Sequence, residues 1–187
     1  MESVSDDAPV TQLLARARAG DDAALGAAYS AVYDELKRAA RLQLRRMRDA
    51  FETTALVHEA YLKLAGGARL AAVDRNHLLA LSARAMRQVL VDGARARKAD
   101  KRGGGQEALT LTASLGGGDA AAVEVLALDE SLASLHRLDE RAAQIVELRY
   151  FGGYSETEIA GMLDISERTL RRDWRKARAF LLAEMHA

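Results

Sequence analysis

Pro9 is the only proline in 187 residues that are otherwise rich in alanine, leucine and arginine, so helix is favoured along nearly the whole chain. The expected fold class is all-α. A chain of this length makes one domain of ordinary size or two small ones, and 49% hydrophobic with 29% charged residues is the composition of a globular protein. The absence of cysteine excludes disulfides, thiol catalysis and the usual zinc ligand sets. No apolar run of membrane-spanning length and no signal-peptide pattern occurs, which points to a cytoplasmic protein without a membrane partner.

The most informative stretch is Gly153 to Leu182, GYSETEIAGMLDISERTLRRDWRKARAFLL. Ser155 followed three residues later by Glu158 is a capping box, which starts a helix carrying Ile159, Ala160 and Leu163 at helical spacing. Asp164, Ile165 and Ser166 form a short turn, and Ser166 caps a second helix. At 100° per residue Leu170, Trp174, Ala177 and Leu181 share one stripe of that helix, while Arg168, Arg171, Arg172 and Arg175 share the opposite face. Two short helices, a three-residue turn and arginines on the second helix match a helix-turn-helix that places a recognition helix in the major groove. Arginine suits the task because its planar fork bonds a guanine edge or a phosphate bidentately. Trp174 and Tyr154 read as core anchors.

The net charge of zero hides three basic clusters, Lys37 to Arg48, Arg84 to Arg102 and Arg168 to Arg178, with acids concentrated between Glu107 and Glu147. Taken in order, Met1 to Pro9 is a loose tail and Val10 to Ala19 a short helix that Gly20-Asp21-Asp22 ends. One long helix from Ala23 presents Leu25, Ala28, Tyr29, Val32 and Leu36, then the first basic cluster. Thr53 and Thr54 open a third helix with Val57, Ala60, Tyr61 and Leu64 inward, stopped by Gly66-Gly67. Asn76 caps a fourth, whose stripe of Leu79, Ala83, Met86 and Leu90 runs on into Arg95, Arg97, Lys98, Lys101 and Arg102. Two glycine triplets, Gly103 to Gly105 and Gly116 to Gly118, bracket a low-complexity linker. The expected division is therefore 10–102, a linker at 103–122, and 123–187. In the last part Val125, Leu128, Leu132 and Leu135 mark one helix, and Asp139 caps the next, with Ala142, Ile145 and Leu148, which Gly152-Gly153 closes.

Catalysis is not expected. His58, His77, His136 and His186 are scattered, there is no HExxH, phosphate loop or triad signature, and the glycine runs lack the strand-turn-helix setting of a dinucleotide loop, so no cofactor or metal is implied. Two regulatory readings stay open on these residues. One is a dimeric helix-turn-helix regulator that binds operator DNA unaided; the other follows from a resemblance.

Two basic helical units on a glycine-rich tether resemble the extracytoplasmic-function (ECF) sigma factors of bacterial RNA polymerase. The likeness runs from about Leu13 to Leu182 outside the linker and is carried by TALVHEAYLKL (Thr54 to Leu64), LLALSARAMRQVLVDGARARKADKRGGG (Leu78 to Gly105) and the helix-turn-helix. It implies that Thr54 to Leu64 docks on the beta-prime clamp coiled coil, through Val57, Glu59, Tyr61 and Leu62. It implies that Asn76, His77, Arg84, Arg87, Arg95, Arg97, Lys98, Lys101 and Arg102 hold the minus-ten element. Arg168, Thr169, Arg171, Arg172 and Arg175 then read the minus-thirty-five element while their domain rests on the beta flap. The implied partners are polymerase core and promoter DNA, with an anti-sigma factor as a further class.

Two departures from that family stand out. The clamp-docking helix offers Glu59 and little other acid, a deficit that predicts weak docking because charge complementarity governs encounter and register. A phosphate on Thr54, or on Thr53, would add about −1.5 to −2 charges at a helix start, which makes a Ser/Thr kinase an expected partner. Thr54 is preferred because it adjoins the matched ALV, and the resembling subgroup is associated with such kinases; the bland alternative is that Thr54 is only a helix cap. The second departure is the scarcity of aromatics in the minus-ten segment, where His77 is followed by Leu78 and Leu79, so strand capture is expected to rest on a pocket and phosphate contacts more than on stacking.

Overall fold

The computed structural model describes residues 7–47, 51–66, 72–100 and 119–185. Among them the regular structure is entirely helical: α1 (Asp7–Arg18), α2 (Asp22–Ala31), α3 (Tyr33–Arg46), α4 (Thr53–Ala65), α5 (Arg75–Asp100), α6 (Asp119–Leu138), α7 (Glu140–Val146), a wide π turn (Glu147–Gly152), α8 (Glu156–Met162) and α9 (Glu167–Met185). Arg48, Lys101, Arg102 and both glycine triplets lie outside the described residues.

Local chemistry explains most boundaries. Asp21 accepts the Ala24 amide at the start of α2, and Asp139 accepts that of Ala142 at the start of α7. Three expectations shift. The single long helix from Ala23 is two helices, because Val32 takes a non-helical conformation (φ −109°, ψ 15°) with its own side chain fully buried. That break lets α2 pack on α1 while α3 packs on α4 and α5. Asn76 does not cap α5; Asp74 does, its carboxylate accepting the His77 amide at 2.8 Å. The helix α6 begins at Asp119, inside the stretch expected to be linker.

A continuous apolar core joins the two sequence-predicted units. Long α5 is its axis, in contact with α3, α4, α6 and the π turn, and α3 also meets the π turn directly. Leu36, Leu56, Leu78, Met86 and Leu90 share one cluster with Leu132, Leu135 and Phe151. A second, smaller cluster of Ile145, Leu148, Ile159, Ala160 and Leu170 joins the helix-turn-helix to α7 and the π turn, with Ala80 of α5 packed against its edge. The π turn serves both. Its extra residue per turn sends Leu148 into the small core, Phe151 into the large one and Glu147 toward α5. Gly153 follows in the left-handed region (φ 74°) and lies so close to α3 that a Cβ there would stand 2.6 Å from Leu42 Cδ2. The positive φ is what favours glycine there, since the Leu42 side-chain tip could turn aside from a Cβ.

Candidate nucleic-acid and polymerase interfaces

The helix-turn-helix forms as its sequence dictates. Ser155 and Glu158 make the reciprocal capping box, and the Ser155 hydroxyl and amide hold the Glu158 carboxyl below its usual range. Asp164 occupies the left-handed turn position (φ 50°). The Ser166 hydroxyl accepts the Thr169 amide at 3.2 Å, starting α9 where expected, and lies 3.0 Å from the Thr169 hydroxyl. Leu170, Ala177 and Leu181 are buried, and Trp174 is half-buried with the Arg149 guanidinium 4.5 Å above its ring.

The arginine face of α9 is not uniform. Arg171 is held by Glu156 at 2.6 Å and Glu167 at 2.7 Å, the first of which raises its pKa further while Arg171 in turn holds the Glu156 carboxyl low. Arg172 bonds Asp173 at 3.1 Å. Arg168 and Arg175 are exposed and have no acidic partner among the described residues, Arg175 donating only to the Arg171 carbonyl. Asp173 itself is 2% exposed, within the stripe expected to be dry. Burial pushes its carboxyl up, but the hydrogen bonds and charges of Arg172 and Arg141 outweigh burial and hold it below the usual range. Through Arg141, whose Nε and Nη2 reach Asp173 at 2.9 and 2.6 Å, it also ties α7 to α9.

On α4 the expected docking residues separate by depth. Val57 is 2% exposed and supports the helix rather than offering a contact, and its carbonyl accepts the Tyr29 hydroxyl at 3.3 Å. Burial pushes the Tyr29 phenol up to about 12. Glu59 and Tyr61 are half-buried, and Leu62 is 48% exposed. Thr54, Val57, His58 and Tyr61 line a cleft of about 300 Å³ shared with Tyr29 and Tyr33 of the neighbouring helices. Neither threonine caps α4. Glu52 does, accepting the Ala55 amide at 2.8 Å, and the Ala55 and Thr54 amides hold its carboxyl below the usual range. Thr54 is exposed and Thr53 half-buried.

On α5, Asn76, His77 and Arg84 line a cleft of about 530 Å³ whose opposite wall includes Glu140, Gln144 and Glu147. Leu78 and Leu79 are core residues, so no base-stacking position is lost by their being aliphatic. Lys98 is exposed and Arg97 half-buried. Arg87 is 5% exposed and bonds Asp129 and, at 2.8 Å, Glu147; Arg95 bonds the other Asp129 oxygen at 3.0 Å. As folded, Arg87 has no surface to give to DNA.

Sequence reading missed the acids that organise these arginines, Asp129, Glu147, Glu156, Glu167 and Asp173, and the Glu52 cap of α4. Two carried a signal in their phase. Asp129 falls between Val125 and Leu132, and Asp173 between Leu170 and Ala177, both at inward helical positions.

Over residues 7–187 the chain matches the family model described as ECF sigma factor. It belongs to the ECF sigma factor family. No curated protein and no solved structure matches the chain at a significant level. An ECF sigma factor is a non-enzymatic initiation factor that works with RNA polymerase core at promoter DNA, which sets aside the regulator acting without polymerase. No helix among the described residues of this sigma factor is long and apolar enough to cross a membrane.

Proposed function

We propose that this ECF sigma factor brings polymerase core to its promoters through three surfaces: the exposed stripe of α4 on the clamp, α5 on the minus-ten strand, and α9 on the minus-thirty-five duplex with its domain on the beta flap. Units 10–102 and 123–187 act as separate grips joined through the linker, in the cytoplasm where polymerase works, with an anti-sigma factor as a natural antagonist. Phosphorylation of Thr54 by a Ser/Thr kinase strengthens the α4 contact.

The observation that carries the phosphorylation reading is the exposed stripe of α4. Thr54, His58 and Leu62 recur at i, i+4 and i+8 and are all exposed, so a phosphate on Thr54 enters the same face as the apolar Leu62 contact. It also lands at the positive end of the helix, beside the Glu52 carboxylate, and turns a weakly acidic end into a strongly acidic one. Pull-down of core polymerase by the unmodified chain, the kinase-treated chain and kinase-treated Thr54→Ala tests this. Retention is expected to rise only for the second, with run-off transcription rising in parallel. Equal retention of all three removes phosphorylation at Thr54 from the account; absence of run-off in every state removes the promoter role.

A further inference from the structure

Two of the α5 arginines assigned to the promoter strand, Arg87 and Arg95, already have anionic partners. Arg87 sits between Asp129 of α6 and Glu147 of the π turn, with its guanidinium 5.5 Å over the Phe151 ring. Arg95 takes the second Asp129 oxygen, and Gln88 approaches the first at 3.4 Å. Farther along the same seam Arg46 of α3 donates to the Tyr150 carbonyl at 2.5 Å and lies 4.4 Å over its ring. Asp129, Glu147 and the Tyr150 carbonyl belong to the C-terminal unit and Arg46, Arg87 and Arg95 to the N-terminal one, where Arg95 also lies 3.8 Å from Asp92 of its own helix. Charges buried in pairs add little net stability, and their best-attested use is to specify one arrangement over another.

We infer that Asp129 and Glu147 are an internal stand-in for promoter phosphate: they hold the free chain closed, bury Arg87 and engage the still exposed Arg95, so that the minus-ten strand and the C-terminal unit compete for these guanidiniums. The inference rests on the proposed role of α5. It has a geometric necessity behind it. The two promoter elements lie about 25 base pairs apart, about 85 Å of B-DNA at about 3.4 Å per pair. A compact chain of this length has a radius of gyration of about 16 Å and spans about 40 Å. The closed form cannot touch both elements at once. Residues 101–118 can reach at most about 60 Å between the ends of α5 and α6, enough to make up the difference once the seam parts. Opening is thus required for promoter engagement, and the clasp sets its cost on the residues that DNA will use.

Competition of this kind is reciprocal: strand binding opens the chain by the same factor by which opening tightens strand binding. The native chain has no cysteine, so Ala31→Cys and Ala179→Cys, both at exposed positions, supply a unique dye pair on the two units. In the otherwise unaltered chain, a single-stranded minus-ten oligonucleotide is expected to lengthen the dye distance. With Asp129→Asn and Glu147→Gln added, the distance is expected to be long without DNA, the helical circular-dichroism signal to be retained, and the oligonucleotide to bind at least fivefold tighter, the lower end of ordinary coupling. An unchanged distance and affinity in the charge variant overturns the clasp, even where run-off transcription succeeds. Opening without tighter strand binding also overturns it, because the acids would then be a lock unrelated to DNA. If the variant opens and tightens but core polymerase yields no run-off, the clasp stands and the promoter role of the whole chain falls. Should the charge variant lose its helical signal, the unaltered chain decides: a dye distance that does not respond to saturating oligonucleotide overturns the proposal.

Discussion

Replacing Asp173 by asparagine keeps the shape of a buried side chain and removes its charge. Three hydrogen bonds from two guanidiniums converge on this carboxylate. Hydrogen bonds to a charged group contribute about 1.5–3 kcal/mol each when both partners are dry. Here Arg141 and Arg172 keep 46% and 55% of their side-chain surface in water, so they rehydrate when the charge goes, and exposed pairs are worth about 0–1 kcal/mol. The intermediate case gives a loss of about 2 kcal/mol at pH 7. With an unfolding entropy of about 2.1 cal/mol/K per residue, that lowers Tm by about 5 °C for a chain of this length. The pH dependence separates charge from packing. The folded carboxyl is held below its unfolded value of about 3.9, so the unfolded state binds its proton more readily. Its stabilisation is complete above that value and is lost as pH falls through the folded one. Thermal unfolding of parent and Asp173→Asn by circular dichroism should show the 5 °C gap at pH 7 and a gap that narrows steadily as pH falls below about 3.9. Equal Tm at pH 7, or a gap that persists undiminished at pH 3, refutes the argument.

On α9, Arg168→Ala is expected to weaken binding of the isolated chain to minus-thirty-five duplex about tenfold, and Arg171→Ala by less, because Arg171 is already committed to Glu156 and Glu167. Fluorescence anisotropy at fixed salt reads both; the opposite ranking refutes the division of labour. Leu170→Ala empties a fully buried position in the small core and should cost about 2–5 kcal/mol, abolishing duplex binding while the strand-binding unit still binds its oligonucleotide at least as tightly. Loss of both activities together would show that the small core does not stand apart.

Composition and periodicity determined the helical class, the capping box at Ser155, the Asp21 and Asp139 caps, and the two faces of α9, because each depends on residues within about one helical turn of one another. Where a competing local partner existed, sequence order was not enough: Asp74 and Asn76 are both good caps, and only the backbone path of α5 selects Asp74. The break at Val32 likewise belongs to packing, since the apolar stripe of α2 and α3 is continuous in sequence and divides because its two parts face different neighbours. What tertiary structure alone decided is which arginines are available. Arg87 and Arg95 read as free cations in the sequence, yet apart from the i,i+3 neighbour Asp92 of Arg95 their partners lie 34 to 60 residues away, and a charge's environment is set by distance in space, which a one-dimensional pattern does not contain.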